Sequence, residues 1–284
     1  MQNLDQVINM LNLEKIDDQS FVGENFKTPW GRVFGGQVLG QALHAAYQTV
    51  PPDRFAHSMH GYFILGGNID IPIRYEVDTI RDGGSFTTRR VVAFQNDKAI
   101  FNMAASFQLE QKGFEHQVPM PNVLPPEVIL DFIDQLEALK DYDPKLYRRF
   151  SSIHPIAFEF RHVEKNDYHK PTIPYQHIWI RTREKGQFSL PMQHQLLACV
   201  SDFNLLATAF RPHQAVTERS SVFFASLDHA IWFHRDFDIS DWLLIAMDSP
   251  SASNARGFSR GTIFDKNGKL VSSVVQEGLM RAIK

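Results

Sequence analysis

Apolar residues recur at helical spacing in three parts of the chain. They do so in residues 3–13, in Gly36–Val50, and again in His194–Phe210 of the second half. A repeat of three and four residues is typical of amphipathic helices. Pro51 and Pro52 follow the second segment directly and would end a helix there. The pattern therefore predicts a short N-terminal helix and one longer helix in each half of the chain.

Strand-like runs surround the two longer helices. Alternating or β-branched apolar residues bounded by turn residues are typical of strands, and Asp82-Gly83-Gly84 is one such turn. In the first half the runs are residues 20–26, 55–65, 73–80, 85–94 and 99–109. In the second half they are residues 156–163, 176–183, 222–234, 242–248, 255–264 and 270–280. Each long helix is thus followed by four strand-like runs, which predicts an antiparallel meander.

The second half repeats the element order of the first. At an offset of about 171 residues, the turn around Asn96 falls on the turn around Asn267, and Arg89 falls on Arg260. The identity between the halves is low, so the repeat is one of spacing and order. We interpret it as an internal duplication of a helix-plus-meander unit. An α+β protein with two unrelated halves is the alternative, because periodicity cannot separate the two interpretations.

A proline-rich stretch separates the two copies. Residues 111–150 contain Pro-rich sequence followed by a charged helical run at Glu127–Lys140. Such composition is typical of a linker carrying a surface helix. We therefore expect an N-terminal domain at residues 1–110, this linker, and a C-terminal domain at residues 151–284 that carries the chemistry.

Composition and charge exclude several classes of protein. The chain has 284 residues, of which 43% are hydrophobic and 21% charged, so a packed core is expected. Its formal net charge of −3 argues against a nucleic-acid-binding protein. The single cysteine, Cys199, excludes an internal disulfide and a cysteine zinc cluster, as expected for a reducing compartment. No apolar run is long enough to span a bilayer, so we expect a cytoplasmic protein with no membrane partner.

Comparison of the two copies singles out three polar residues. Asp202 is the only carboxylate in the second long helix, and the first long helix has none. Ser226 falls opposite Phe55, and Gln276 falls opposite Ala105, within an uncertainty of one residue. A carboxylate among apolar neighbours is desolvated unless it is paired, so Asp202 is either a functional group or a capped structural one.

Other candidate groups have simpler explanations. Cys199 lies one turn before Asp202 without a histidine beside it on the helix, so a small core residue is the favoured interpretation over a nucleophile. Asp228 and His234 are about 20 Å apart along a strand, too far to share one metal ion. His57 and His60 would suit the acid–base chemistry of a dehydratase, although a hydrogen-bonded histidine at a strand edge is more common.

Nine segments together resemble one enzyme family. They are Arg32–Ala42, His57–Phe63, Arg81–Val91, Ala104–Gln108, Gly113–Gln117, Ser201–Leu206, Leu227–Arg235, Ser251–Phe258 and Val275–Arg281. In this order they cover nearly the whole chain, and only the linker is undistinguished. The chain resembles acyl-CoA thioesterase II, a family with an α+β double-hotdog fold in which two antiparallel sheets each wrap a helix.

The resemblance implies a reaction and a set of site residues. The substrate would be a fatty acyl-CoA, hydrolysed to free fatty acid and coenzyme A by direct attack of water, with no cofactor, metal or acyl-enzyme. The family residues that hold this water fall on Asp202, Ser226 and Gln276, where Ser226 replaces a threonine that is common in bacterial members. A hotdog hydratase or dehydratase and a non-catalytic acyl-CoA binding protein are the alternatives. The resemblance also implies a homodimer or homotetramer.

Two ligand-binding features follow from the same resemblance. Arg89, Arg90, Arg256 and Arg260 could face the phosphates of coenzyme A, although a salt-bridged sheet face explains each of them more simply. Some of the 23 phenylalanines would line a channel for the acyl tail. Those that flank the predicted site are Phe34, Phe63, Phe86, Phe203, Phe223, Phe224, Phe233 and Phe258. Phe203 directly follows Asp202 and is the first of these to examine.

Overall fold

The computed structural model describes residues 3–142, 144, 147–148, 151, 157–164, 170–214 and 222–283. Its helices are α1 (Leu4–Leu11), α2 (Gly35–Tyr47), α3 (Phe132–Tyr142), α4 (Leu190–Ser201) and α5 (Leu205–Phe210). Its first strands are β1 (Glu14–Lys15), β2 (Ser20–Gly23), β3 (Arg54–Phe63), β4 (Ile73–Asp82), β5 (Phe86–Gln95) and β6 (Lys98–Leu109). The others are β7 (Phe158–His162), β8 (Tyr175–Thr182), β9 (Val222–Ser226), β10 (Asp228–Phe233), β11 (Leu243–Ser253), β12 (Arg256–Asp265) and β13 (Leu270–Ala282).

The strands form one antiparallel sheet with a two-fold arrangement. Their order is β1-β2-β4-β5-β6-β3-β10-β13-β12-β11-β8-β7, and β9 also pairs with β13. β3 and β10 join the two halves at the centre, where His60 pairs with Ala230. From β3 outward the order is β6, β5, β4, β2 and β1, and from β10 outward the equivalent strands β13, β12, β11, β8 and β7 follow in the same order. The sheet therefore confirms the predicted internal duplication.

The two long helices are buried against each other and against the sheet. Most of α2 and the last two turns of α4 are buried. Two glycines of α2 permit this approach, because a Cβ on Gly36 would lie 2.1 Å from the carbonyl oxygen of Cys199 and one on Gly40 would lie 3.1 Å from that of Gln195. Glycine lets helix backbones approach closely, at a cost in intrinsic helix propensity. The contact places the start of α2 beside the end of α4.

Equivalent ion pairs in the two halves correct the predicted offset. Arg90 donates to Asp78 and Arg260 donates to Asp248, each through a hydrogen bond of 2.7 Å from the guanidinium Nε. Arg260 therefore matches Arg90, at an offset of 170 residues, and the predicted match with Arg89 is wrong. The two copies differ in a later turn: β5 and β6 are joined by two residues with positive φ, whereas β12 and β13 are joined by a longer loop. The longer loop adds one residue, so the offset between equivalent residues of β6 and β13 is 171.

The predicted helix His194–Phe210 is wrong in its bounds. The helix α4 begins at Leu190, because the Ser189 hydroxyl caps it by accepting the Met192 N–H and Pro191 fits its first turn. It ends at Ser201, and Asn204 adopts a left-handed backbone with φ of 70° before α5 begins. A break therefore falls at Asp202, which becomes the C-cap of α4 instead of a residue on its side.

The linker lies against the second half of the sheet. Trp179 of β8 donates its indole N–H to the Leu124 carbonyl at 2.9 Å, and Ile129 is buried in a small apolar cluster with that tryptophan. The predicted helix Glu127–Lys140 is present as a turn of 3₁₀ helix at Pro126–Val128 and then α3. Within the described ranges, no helix has both the length and the apolar character that crossing a membrane requires.

Candidate active site

Asp202, Ser226 and Gln276 come together at the end of α4. Asp202 is the C-cap of α4, Ser226 ends β9, and Gln276 lies in the middle of β13. The Gln276 Nε2 donates to Asp202 Oδ1 at 2.6 Å and is 2.9 Å from Ser226 Oγ. The Ser226 hydroxyl is itself 3.5 Å from Asp202 Oδ1, at the limit of a hydrogen bond. Three residues that are far apart in the chain thus form one hydrogen-bonded cluster.

The other half of the protein completes the cluster. The backbone N–H of Gly36, in the first turn of α2, donates to Asp202 Oδ2 at 2.9 Å. The first N–H groups of a helix have no partner within it, and the helix dipole favours negative charge at that end. A Cβ on Gly35 would lie 2.8 Å from the same Oδ2, so the absence of a side chain there lets the carboxylate approach. The site therefore lies at the junction of the two copies.

Burial dominates the electrostatics of Asp202. Desolvation raises the pKa of its carboxyl above the ordinary aspartate value, and the hydrogen bonds from Gln276, Gly36 and Ser226 offset only part of that shift. All three donors are neutral, so they orient the carboxylate without supplying a positive charge. A carboxylate held in this way is a stronger proton acceptor than an exposed one.

Aromatic rings form one wall of the cluster. The Phe203 ring, next to Asp202, lies 4.6 Å from that of Phe34 and 5.7 Å from that of Phe160, between ring centroids. Phe63 approaches from β3, with its ring 3.0 Å from the position of a Cβ on Gly35. The predicted flanking phenylalanines Phe34, Phe63 and Phe203 therefore converge on Asp202. This apolar surround is consistent with the raised pKa of the carboxyl.

Two buried polar atoms in the cluster have no hydrogen-bond partner among the described residues. They are the Gln276 Oε1 and the hydroxyl of Ser259, a β12 residue paired directly with Gln276 in the sheet. Ser259 was not predicted from the sequence, because its counterpart in the first copy is polar as well. At the observed offset of 170 residues Ser259 corresponds to Arg89, and a comparison that looks for polar residues opposite apolar ones does not single out a serine opposite an arginine.

The pairing of residues in the sheet supports the predicted equivalences of Gln276 and Ser226 with residues of the first half. Gln276 pairs with Ser259 as Ala105 pairs with Arg89, which confirms that Gln276 and Ala105 are equivalent. Ser226 corresponds to Ala56, one residue from the predicted position and within the stated uncertainty. Ser226 and Gln276 therefore both have alanine counterparts in the first half.

The competing nucleophile and acid–base candidates occupy structural positions. Cys199 is buried inside α4, and burial raises the pKa of its thiol far above the ordinary value, which keeps it protonated. His57 shares a 2.8 Å hydrogen bond with Ser106, and His60 stacks edge-on against Trp232. Across the described part of the chain, no three histidine, cysteine or acidic side chains are grouped as metal ligands.

The four arginines that were weighed as contacts for coenzyme A are all paired with carboxylates. Arg90 and Arg260 form the equivalent ion pairs described above. Arg89 is buried and donates to Asp82 at 2.8 Å, and Arg256 donates to Glu277 at the same distance. The salt-bridged sheet face is therefore the correct interpretation of these residues.

Family models and curated relatives match nearly the whole chain. The family model described as "Acyl-CoA thioesterase" matches residues 151–279, and "Acyl-CoA thioesterase N-terminal domain" matches residues 26–108. The chain is 39% identical to acyl-CoA thioesterase 2 of Haemophilus influenzae over 98% of both chains. It is 37% identical to human acyl-coenzyme A thioesterase 8, covering 97% of this chain and 88% of the relative.

A solved structure shows the same fold. Acyl-CoA thioesterase II from Mycobacterium marinum superposes with a TM-score of 0.81 at 36% identity, over 97% of this chain and 98% of that one. A hotdog-fold protein from Alicyclobacillus acidocaldarius, at 16% identity and a TM-score of 0.77, shares the fold alone. The fold is thus the double hotdog, of α+β class. From this fold and from the identity to thioesterases over nearly the full length, the chain belongs to the acyl-CoA thioesterase II family and hydrolyses acyl-CoA thioesters.

Proposed function

We propose that Asp202 is the general base that activates a water for direct attack on the thioester carbonyl of a fatty acyl-CoA. The observation that carries the proposal is the half-buried Asp202 carboxylate, whose pKa is raised by desolvation and whose hydrogen-bond donors are all neutral. A carboxylate accepts at about four lone-pair positions, so these donors leave room for a water. Positioned bases contribute roughly 10²- to 10⁴-fold to such reactions.

Ser226 and Gln276 orient that water. The Gln276 amide donates to both other residues through Nε2, and its Oε1 is free of protein partners among the described residues and can accept from the water. The Ser226 hydroxyl can rotate to accept or donate. Holding the water in one orientation beside the base lowers the entropic part of the barrier.

The first turn of α2 is the best candidate for the oxyanion site. Its N–H groups point out of the helix start beside Asp202, and one of them, from Gly36, already binds the carboxylate. The neighbouring N–H groups of Gly35 and Gln37 belong to the same unpaired set. Preorganised backbone donors of this kind stabilise the negative charge that develops on the carbonyl oxygen during attack.

The acyl tail would bind among the aromatic side chains at the same junction. Phe34, Phe63 and Phe203 surround the carboxylate with apolar surface. A fatty acyl group gains free energy from leaving water, at about 25 cal/mol for each Å² buried. This supports a fatty acyl substrate, whose chain length a turnover series from short to long acyl-CoA would establish.

The test is the hydrolysis of palmitoyl-CoA by Asp202→Asn, followed as release of free thiol. We expect the rate to fall by at least about 100-fold, because an amide cannot take a proton from water. Asp228→Asn is the matched control, since Asp228 is another aspartate near β13 whose pKa burial raises. A rate for Asp202→Asn equal to that of the unmodified protein would exclude Asp202 as the base. Thiol release by the unmodified protein also separates this proposal from a dehydratase and from a binding protein.

We also propose that the protein is a cytoplasmic homodimer or homotetramer. Three large apolar side chains at and just after the end of β3, Tyr62, Ile64 and Leu65, are exposed. Contiguous exposed apolar residues mark contact surfaces in soluble proteins. The single free thiol, Cys199, is compatible with a reducing compartment. Sedimentation velocity at micromolar concentration would show a monomer if the proposed assembly is wrong.

A further inference from the structure

Two arginines from opposite ends of the chain converge on one phenylalanine near the candidate active site. The Arg32 guanidinium carbon lies 4.8 Å from the ring centroid of Phe223, and that of Arg281 lies 5.8 Å from the same centroid. Both arginines are exposed, and Phe223 is half-buried between them. Cation–π attraction operates at these distances and holds both side chains over the ring.

The charges of Arg32 and Arg281 are not neutralised by carboxylates. Neither forms an ion pair with any acidic side chain in the described ranges, unlike the sheet arginines Arg90 and Arg260, which are paired with aspartates. Two like charges converging on one ring repel each other unless an anion lies between them. The convergence therefore favours a ligand that carries negative charge.

Each residue of the cluster is tied to an element of the active site. Phe223 precedes Ser226 by three residues in β9, which is about 10 Å of strand. Arg281 pairs with Phe223 in the sheet register and follows Gln276 in β13. Arg32 precedes by three residues the start of α2, whose first turn binds the Asp202 carboxylate. Phe223 and the two arginines are therefore carried by β9, β13 and the segment leading into α2, the same parts of the fold that carry Ser226, Gln276 and the Gly36 N–H.

The positions of Phe223 and the two arginines also suit a long ligand that extends from Asp202 past the edge of the sheet. Alternation along the strands places Phe223 and Arg281 on the face of the sheet opposite to Ser226 and Gln276. Among the described strands, β9 pairs only with β13, so its other edge is unpaired. Arg32 reaches the Phe223 ring from the side of α2, so the cluster spans this open edge. A ligand that passed the edge would have one end near Asp202 and the other between the guanidinium groups.

We propose that Arg32 and Arg281, supported on Phe223, bind the phosphate groups of the coenzyme A part of the substrate. Coenzyme A carries its phosphates at the far end of the flexible pantetheine arm from the thioester, so they must bind away from Asp202. Guanidinium groups form paired hydrogen bonds with phosphate oxygens. The proposal rests on acyl-CoA hydrolysis and not on the roles given to Asp202, Ser226 and Gln276.

The test compares two substrates that differ only in the phosphate-bearing part. Kinetics with palmitoyl-CoA and with palmitoyl-pantetheine, which has the same thioester but no phosphate, are measured for Arg32→Gln, Arg281→Gln and the double variant. We expect the ratio of kcat/KM for palmitoyl-CoA to that for palmitoyl-pantetheine to fall by about 10-fold in each single variant. The loss should arise in KM, and added salt should weaken palmitoyl-CoA binding less in the variants than in the unmodified protein.

Arg90→Gln and Arg260→Gln are the matched controls, because they remove the same charge from ion-paired positions. Their substrate ratio should change by less than twofold. An unchanged ratio in the Arg32 and Arg281 variants would overturn the proposal, as would an equal loss in the controls. Loss of turnover on both substrates with an unchanged ratio would also count against phosphate binding. If the Asp202 mechanism is wrong, the ratio still reports on the phosphates, so the two failures are distinguishable.

Discussion

The backbone N–H of Gly36 and the carboxylate of Asp202, 166 residues apart in the chain, are joined by a 2.9 Å hydrogen bond between the two copies of the duplicated unit. The first copy supplies a helix start, and the second copy supplies the charged group. Neither helix alone has both. The two copies thus contribute different groups to one shared site.

Gly35 tests this junction most specifically. A Cβ at this position would lie 2.8 Å from Asp202 Oδ2 and 3.0 Å from the Phe63 ring, so Gly35→Ala should displace the carboxylate. We expect kcat for palmitoyl-CoA to fall by at least 10-fold, with a smaller change in the midpoint of thermal unfolding. Gly40→Ala is the control, because its Cβ would meet Leu11 and the Gln195 backbone away from Asp202. Equal effects of both substitutions on kcat would argue against the junction.

Gln276→Glu should alter the acid–base behaviour of the site. The amide nitrogen of Gln276 lies 2.6 Å from Asp202 Oδ1, so a carboxyl there would share a proton with Asp202 or repel it. The pKa of Asp202 should rise further, and turnover at neutral pH should fall by about 100-fold. The pH profile of kcat checks this, and we expect its acid limb to move to higher pH. Gln276→Asn, which keeps a shorter amide, should leave the limb in place, and a limb that moved equally in both variants would refute the role of the amide.

A hydroxyl group at position 226 should be required for activity, whereas the extra methyl group of a threonine there should have little effect. Ser226 contacts both Asp202 and Gln276 through Oγ. We therefore expect Ser226→Thr to keep kcat within about threefold and Ser226→Ala to lower it by about 10-fold, as measured with palmitoyl-CoA. A threonine also restricts the rotamer of the hydroxyl. Full activity of the alanine variant would show that the hydroxyl does not orient the water.

Removing the Asp202 charge should stabilise the protein. The folded-state pKa of this carboxyl is raised, so the ionised form costs stability at every pH above the ordinary aspartate range. Asp202→Asn removes this cost, and the Gln276 amide can rotate so that its unpaired Oε1 accepts from the new amide. We expect a midpoint of thermal unfolding at pH 7 that is equal to or higher than that of the unmodified protein. A clearly lower midpoint would mean that the ionised carboxylate stabilises the fold.

Two buried histidines should control the acid stability of the fold. Burial lowers the pKa values of His194 and His229 to about 3 from the ordinary 6.5. Since the unfolded chain binds these protons first, stability is lost as the pH falls from 6.5 towards 3, at up to about 1.4 kcal/mol per pH unit for each histidine. Urea unfolding between pH 7 and pH 4 measures this loss. His229→Gln should reduce the slope, and a slope that did not change would contradict the assignment.

Much of the site could be predicted from the sequence, because its residues differ between the two copies. Asp202 and Gln276 stand where the first copy has no equivalent charged or amide group, and this asymmetry is visible without coordinates. Ser259 was missed because its counterpart Arg89 is polar too, so no difference between a polar and an apolar residue marks the position. The sequence of one helix also could not predict its contact with the start of the other, since that contact depends on how the two copies pack.

The break of the second long helix was hidden for a related reason. Apolar spacing continues from Leu196 through Phe210, so periodicity predicts one helix. The left-handed residue Asn204 interrupts it, and only its tolerance for positive φ gave a local signal. Arg32 and Arg281 were likewise invisible, because their convergence on Phe223 joins both ends of the chain.

The most direct test of the account is the pH dependence of kcat/KM for palmitoyl-CoA, measured in parallel for the unmodified protein and Asp202→Asn. If Asp202 is the base, the rate of the unmodified protein rises with pH through a midpoint above the ordinary aspartate pKa of 3.8, because only the ionised carboxylate accepts a proton. Asp202→Asn should retain a small rate without this limb. The same limb with the same midpoint in both proteins would show that Asp202 is not the base.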